Sequence, residues 1–144
     1  MAEIRCVRES DYLRVAEICK NDLGYECEPS FVRNQIAKVL HSERQTVLVA
    51  QEDNNVVGYI QIEEYETIYF GPFSNVLGLA VADSYRNKGI GAQLLKAAEE
   101  WAMQRGAMGV RINSASTRKA AHKFYEKHGY ENTKEQVRLI KKFN

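Results

Sequence analysis

An α+β domain built on a mixed β-sheet is what this 144-residue sequence predicts. Two observations carry that prediction. The apolar run Val76–Ala82 reads as a buried strand; an amphipathic helix from Ile90 and a further strand at Gly109–Asn113 follow it, and strand–helix–strand order makes a parallel pair. Upstream, Asp53-Asn54-Asn55 separates two strand-like segments and reads as the turn of an antiparallel hairpin. Parallel and antiparallel pairs in one chain require a mixed sheet, with about four helices against it.

Taken in order, Ile4 to Arg8 predicts a first strand, and Ser10 or Asp11 can cap a helix carrying Tyr12, Val15, Ala16 and Cys19 at helical spacing. Leu23-Gly24-Tyr25 ends it. Pro29 suits the first turn of a second helix through Val32, Ile36, Val39 and Leu40. Thr46–Gln51 and Val56–Glu64 are the hairpin strands, and Tyr65 to Phe73 is an aromatic-rich connection. After the central strand, Ile90, Leu94, Leu95, Ala98, Trp101 and Ala102 form one helical stripe, stopped by Gly106. A fourth helix is expected over Arg118–His128. Tyr130–Thr133 and Glu135–Phe143 read as a closing antiparallel pair. The order is β-α-α-β-β-β-α-β-α-β-β, read as one domain over residues 1–144.

The chain has no apolar run near the roughly 20 residues of a membrane span. Charged residues Glu3, Arg5, Arg8 and Glu9 interrupt any signal-peptide pattern near its start. Cys6, Cys19 and Cys27 are odd in number and form no C-x-x-C, so buried free thiols in a cytoplasmic protein are expected. Residues 1–85 hold 7 Lys and Arg against 14 Asp and Glu, while residues 86–144 hold 13 against 5. A nucleic-acid binder would more simply be basic throughout. A split of this kind suits a protein that joins a polyanion to a cation. His41, His122 and His128 are scattered, so no metal site is expected.

The segment Tyr85-Arg86-Asn87-Lys88-Gly89-Ile90-Gly91 sets two glycines and two cations where a strand feeds a helix N-terminus. Glycines let backbone approach a ligand closely, and unpaired helix N–H groups attract anions, so phosphate or pyrophosphate is the ligand class. A Walker loop needs Gly-Lys before Ser or Thr, whereas Lys88 precedes Gly89. A dinucleotide fingerprint needs a third glycine where Leu94 stands. What remains, Arg86-x-x-Gly89-x-Gly91 after Leu79-Ala80-Val81, resembles the acetyl-CoA signature of the GNAT superfamily of N-acetyltransferases. A second stretch strengthens the likeness. Arg118-x-x-Ala121-His122-x-Phe124-Tyr125-Glu126-x-x-Gly129-Tyr130 resembles that family's fourth-helix motif.

The resemblance implies a central strand that splays from its parallel neighbour, with the pantetheine arm of acetyl-CoA in the resulting V. It implies cofactor binding by the Leu79, Ala80 and Val81 segment, by Arg86, Asn87, Lys88, Gly89, Ile90, Gly91 and Ala92, and by Asn113, Arg118 and Phe124. It also implies that the Leu79 backbone N–H stabilises the tetrahedral oxyanion, and that Gly78 permits a bulge aiming it. Tyr125 is assigned as the acid that protonates the leaving thiolate; a phenol, which ordinarily titrates near pH ~10, is protonated at neutral pH and able to donate.

The base departs from the family pattern, because Asn75 and Leu77 stand where relatives carry Glu or His. Glu63 is the base expected here; Glu64, Glu26, Glu28 or a water-mediated route remain alternatives, and strand alternation lets only one of Glu63 and Glu64 face the cleft. The implied function is acetyl-CoA-dependent transfer to the primary amine of a small cationic molecule. Alternatives are a protein lysine or N-terminal acetyltransferase, and a non-catalytic acyl-CoA-binding protein. No nucleic-acid or membrane partner is expected; a homodimer is left open.

Overall fold

The computed structural model describes residues 2–143. They form two compact units, one within Met1–Ile112 and one within Asn113–Asn144. The first holds a five-stranded sheet, β1 (Glu3–Cys6), β2 (Gln45–Glu52), β3 (Asn55–Tyr65), β4 (Phe73–Val81) and β5 (Val110–Ile112), in the spatial order of the sequence. Its helices are α1 (Tyr12–Leu23), α2 (Pro29–Leu40) and α3 (Ile90–Gln104). The second unit holds α4 (Lys119–Lys127). Neighbouring strands are antiparallel except β4 and β5, which are parallel, as the strand–helix–strand order requires.

The β2–β3 hairpin closes through Asp53 and Asn54, both at positive φ (54° and 58°). That is the geometry of a two-residue primed turn, and short Asp and Asn side chains tolerate it. β3 is buried from Val56 to Ile60 because both its faces are covered. On one face Val15, Ile18, Val32 and Ile36 of the first two helices join Val47, Val49, Val56, Tyr59 and Ala80 in a single apolar cluster. α3 packs against β3 and β4, burying Ile90, Leu94, Leu95, Ala98 and Ala102. Among the described residues, no helix is long and apolar enough to cross a membrane.

Two irregularities shape the sheet. Opposite β2, Val57 is an extra residue on β3, since Ala50 pairs with Gly58 and Gln51 with Val56. Opposite β3, Leu77 is an extra residue on β4, since Gln61 pairs with Gly78 and Ile62 with Val76. Each is a β-bulge.

Several expectations are corrected. β4 begins at Phe73, so the end of the aromatic connection belongs to the sheet. β1 ends at Cys6, and Cys6 is exposed rather than buried. Asp11 does not cap α1 by its side chain. Its carboxylate accepts instead from the Arg8 N–H (2.7 Å) and from the Arg5 guanidinium (2.9 Å). The closing strand pair at 130–133 and 135–143 is not formed. Alternation there supplies β propensity, but a strand exists only through a ladder with a neighbour. The two segments do not pair, and Val137, Leu139 and Phe143 stay more than 80% exposed.

Burial works to raise the Asp11 carboxyl, but the bonds from Arg5 and the Arg8 N–H prevail and hold it below the usual carboxylate range. Asp11→Ala is therefore expected to lose about 1–3 kcal/mol at neutral pH, the worth of hydrogen bonds to a charged group. A carboxyl lowered by folding stabilises above its unfolded-state value and ceases to as pH falls through its folded-state value. Urea melts of both proteins should thus converge in acid; a gap that persists there would contradict the account.

Candidate active site

The site starts from the backbone of β4. Parallel pairing with β5 covers only Ser74–Val110, Asn75–Arg111 and Val76–Ile112. Beyond Val76, β4 continues without that neighbour. The Ser74 N–H donates to the Gly109 carbonyl on the β5 side (3.0 Å). In a regular strand the same direction would recur at Val76, Gly78 and Ala80. The bulge at Leu77 changes that parity. The Ala82 N–H instead donates to the Val57 carbonyl on the β3 side (2.8 Å), while the Val81 carbonyl accepts from Arg86 Nε (3.1 Å). Alternation then directs the N–H groups of Leu79 and Val81 toward the edge that β5 has left.

The connection to α3 follows at once. A 3-10 turn at Asp83–Tyr85 leads to Arg86 in extended backbone, Asn87 at φ 63° and Gly89 at φ 80°. Gly89 is the N-cap of α3 and makes no side-chain cap, so the first-turn N–H groups of Ile90, Gly91 and Ala92 have no intrahelical acceptor. No heavy atom beyond its chain neighbours lies within 4 Å of where a Gly89 Cβ would sit, so the backbone there is open. Lys88 Nζ sits 5.1 Å above the Tyr85 ring, whose hydroxyl donates to Asp53 (3.1 Å).

Arg86 is held more firmly than sequence reasoning suggested. Besides Val81, its guanidinium pairs with Asp22 at the end of α1 (2.8 Å) and with Asp83 (3.4 Å). It ties the loop to α1 as well as adding positive charge. Asp22 stands 64 residues away in sequence, and no local pattern signals that pairing. In the cleft of about 290 Å³ beside it, the carboxylates of Glu17, Asp22 and Asp83 outnumber the one lining guanidinium, Arg14, so it is ill suited to phosphate.

On the sheet face shared with α1 and α2, Glu63 Oε2 accepts from Asn75 Nδ2 (3.2 Å), and Asn75 Oδ1 accepts from Arg111 (3.1 Å). Arg111 lies over the Tyr65 ring at 4.3 Å. Glu64 points to the other face, where Arg44 (3.5 Å) and Arg105 (3.2 Å) pair with it. Glu26 and Glu28 are exposed between α1 and α2. Sequence reasoning missed Asn75 as the partner of Glu63 and Arg111 as the partner of Asn75, because only strand register brings them together. At Cys19, burial pushes the thiol up against the opposing bond with Tyr59 (3.2 Å), which keeps it protonated.

In the second unit, Asn113 and Arg118 are exposed and Tyr125 is buried. The Tyr125 ring has Phe124 at 5.3 Å and Tyr130 at 5.9 Å. Burial pushes its phenol up, against a weaker downward pull from Arg118, so it stays protonated at neutral pH. His122 Nε2 lies 2.9 Å from the Ala115 carbonyl. A carbonyl only accepts, so Nε2 carries the proton and fixes the turn before α4. Among the described residues, no three His, Cys, Asp or Glu side chains gather as metal ligands would.

Residues 11–130 match the acetyltransferase (GNAT) family. The aminoalkylphosphonate N-acetyltransferase of Salmonella typhimurium is 30% identical over 124 residues, covering 85% of this chain and 77% of that protein. A solved transcriptional regulator from Bacillus halodurans is 25% identical, with a TM-score of 0.86 over 97% of this chain and 99% of the other. An aminoglycoside N-acetyltransferase solved in complex with CoA is 16% identical and superposes with a TM-score of 0.88 over 99% and 96% of the two chains; that likeness is one of fold.

The left-handed backbone at Gly89 is open but unfavourable to any residue with a Cβ. Gly89→Ala is expected to lower stability by about 1–2 kcal/mol, and Gly89→Asn by less, since Asn enters that region more readily. Equal stability of Gly89→Ala and the wild type in thermal melts would contradict this geometry.

Proposed function

The chain is an N-acetyltransferase of the GNAT family, and we propose that it transfers the acetyl group of acetyl-CoA directly to the primary amine of a small cationic acceptor. The observation that carries this reading is the open edge of β4 at Leu79 and Val81, continuous with the helix N-terminus at Gly89–Ala92. The first offers donors and acceptors in line for an amide-bearing arm. The second offers backbone N–H groups and a positive dipole end for a pyrophosphate. Lys88 adds charge, and Arg86 adds charge while holding the loop to α1. Asn113, Arg118 and Phe124 complete the proposed cofactor contacts.

In this mechanism the acceptor nitrogen attacks the thioester carbon, and the Leu79 N–H stabilises the oxyanion as it forms. The C–N bond forms and the C–S bond breaks. Of the two protons lost from the ammonium form of the acceptor, one reaches the CoA sulfur through Tyr125 and the other leaves to solvent. Burial of the Tyr125 phenol supports the acid role, because a proton must be present to be given. A cationic acceptor is favoured by the excess of carboxylates in residues 1–85. Arg111, on the same sheet face as Glu63, favours a second reading in which the amine also carries an anion. The Salmonella relative, named for aminoalkylphosphonates, adds to that second reading.

Thiol release from acetyl-CoA, measured with spermidine, an aminoglycoside and 2-aminoethylphosphonate at two salt concentrations, tests the acceptor class. The cationic amines should show the higher kcat/KM, reduced by salt; a win for the phosphonate would install the second reading. Tyr125→Phe should bind acetyl-CoA normally and turn over about 10²–10⁴-fold more slowly. A full-rate Phe variant would reduce Tyr125 to packing.

A further inference from the structure

Glu63, Asn75 and Arg111 occupy one row across three strands. Asn75 is the antiparallel partner of Glu63 and the parallel partner of Arg111. Its side chain is buried, and its amide lies between a carboxylate and a guanidinium. The amide orientation is forced. A guanidinium only donates, so Oδ1 must face Arg111, and Nδ2 is left to donate to the carboxylate. Cation and anion are thus joined through a neutral bridge rather than to each other, and Glu63 is held through Oε2.

The row stands one step before the bulge. Next along the face comes Gly78, which has no side chain; a Cβ there would meet only the Tyr59 ring and hydroxyl, at 3.5 Å or more. Gln61, opposite Gly78, turns its amide toward Gln45 on β2 (3.0 Å). Between Glu63 and Leu79 this face thus carries no side chain at Gly78, and the Tyr59 hydroxyl is the polar group nearest that position. Leu79 lies four positions beyond Asn75, and strand rise with the bulge makes that about 10–13 Å, too far for direct proton transfer and suited to a short water chain. The other cations near this end of β3, Arg44 and Arg105, are engaged by Glu64 on the opposite face.

We propose that Asn75, itself held by Arg111, is a positioning residue that fixes the Glu63 carboxylate as the end of a water-carried proton path from the acceptor amine. Glu63 takes up the ammonium proton through that path and releases it to solvent, and the neutral nitrogen then attacks. This rests on the acetyltransferase reading above and adds the residues that make the amine nucleophilic.

A double-mutant cycle tests it, with Asn75→Leu, Glu63→Gln and the pair, using whichever of spermidine, the aminoglycoside or 2-aminoethylphosphonate the wild type turns over fastest. Asn75→Leu should lower kcat roughly 10–100-fold, the scale of a misplaced catalytic group, with little change in acceptor KM. In the Glu63→Gln background the same change should cost nothing further, because the group it positions is gone. Acetyl-CoA affinity by calorimetry should be unchanged in all three variants. If Asn75→Leu fails to bind acetyl-CoA, Asn75→Ser takes its place. Multiplying effects, a rise in KM alone, or a full-rate Asn75 variant overturns the proposal while leaving the enzyme an acetyltransferase. A wild type that neither binds acetyl-CoA nor releases thiol with any amine overturns that reading, and this one with it.

Discussion

One extra residue, Leu77, decides which backbone groups β4 leaves unpaired. Upstream of it the strand is laced to β5 through Ser74–Val76; downstream it has lost that neighbour. A regular strand would have presented Gly78 and Ala80 to the empty edge. The bulge presents Leu79 and Val81, and it leaves Ala80 in the apolar cluster with Tyr59 and Val49. Backbone donors are fixed dipoles that need no reorganisation as charge develops, which suits them to an oxyanion. The rest of the first unit supports this strand: β3 pairs along its whole length, α1 and α2 cover one face, and α3 covers the other.

The loop proposed to hold phosphate depends on the same strand. Arg86 reaches back to the Val81 carbonyl and out to Asp22, so the chain leaving β4 is anchored before it turns through Asn87 and Gly89 into α3. The exposed cation Lys88 and the open N-terminus of α3 then lie in continuous sequence with the open edge. The features proposed for the cofactor's arm and for its charge are thus close in the chain and adjacent by construction.

Much of this was legible in the sequence. The elements of the first unit follow from apolar periodicity, and the loop follows from Gly89, Gly91 and the two cations beside them. The bulge was inferred from Gly78, although the extra residue itself is Leu77. Less legible was whatever depends on register. Glu63 and Asn75 are 12 residues apart and Asn75 and Arg111 are 36, and nothing in either interval announces the row they form. The closing strands were misread for the opposite reason. Val137 and Leu139 alternate as a strand should, but alternation reports propensity and not the presence of a ladder partner.

The central claim is that the bulge turns the N–H groups of Leu79 and Val81, and not those of Ala80 and Ala82, toward acetyl-CoA. Residue-resolved amide hydrogen exchange with and without acetyl-CoA measures this most directly. Leu79 and Val81 should exchange quickly in the free protein and become protected when acetyl-CoA binds, while Ala80 and Ala82 stay protected throughout by their bonds to β3. Protection gained at Ala80 and Ala82, with Leu79 and Val81 unchanged, would contradict it.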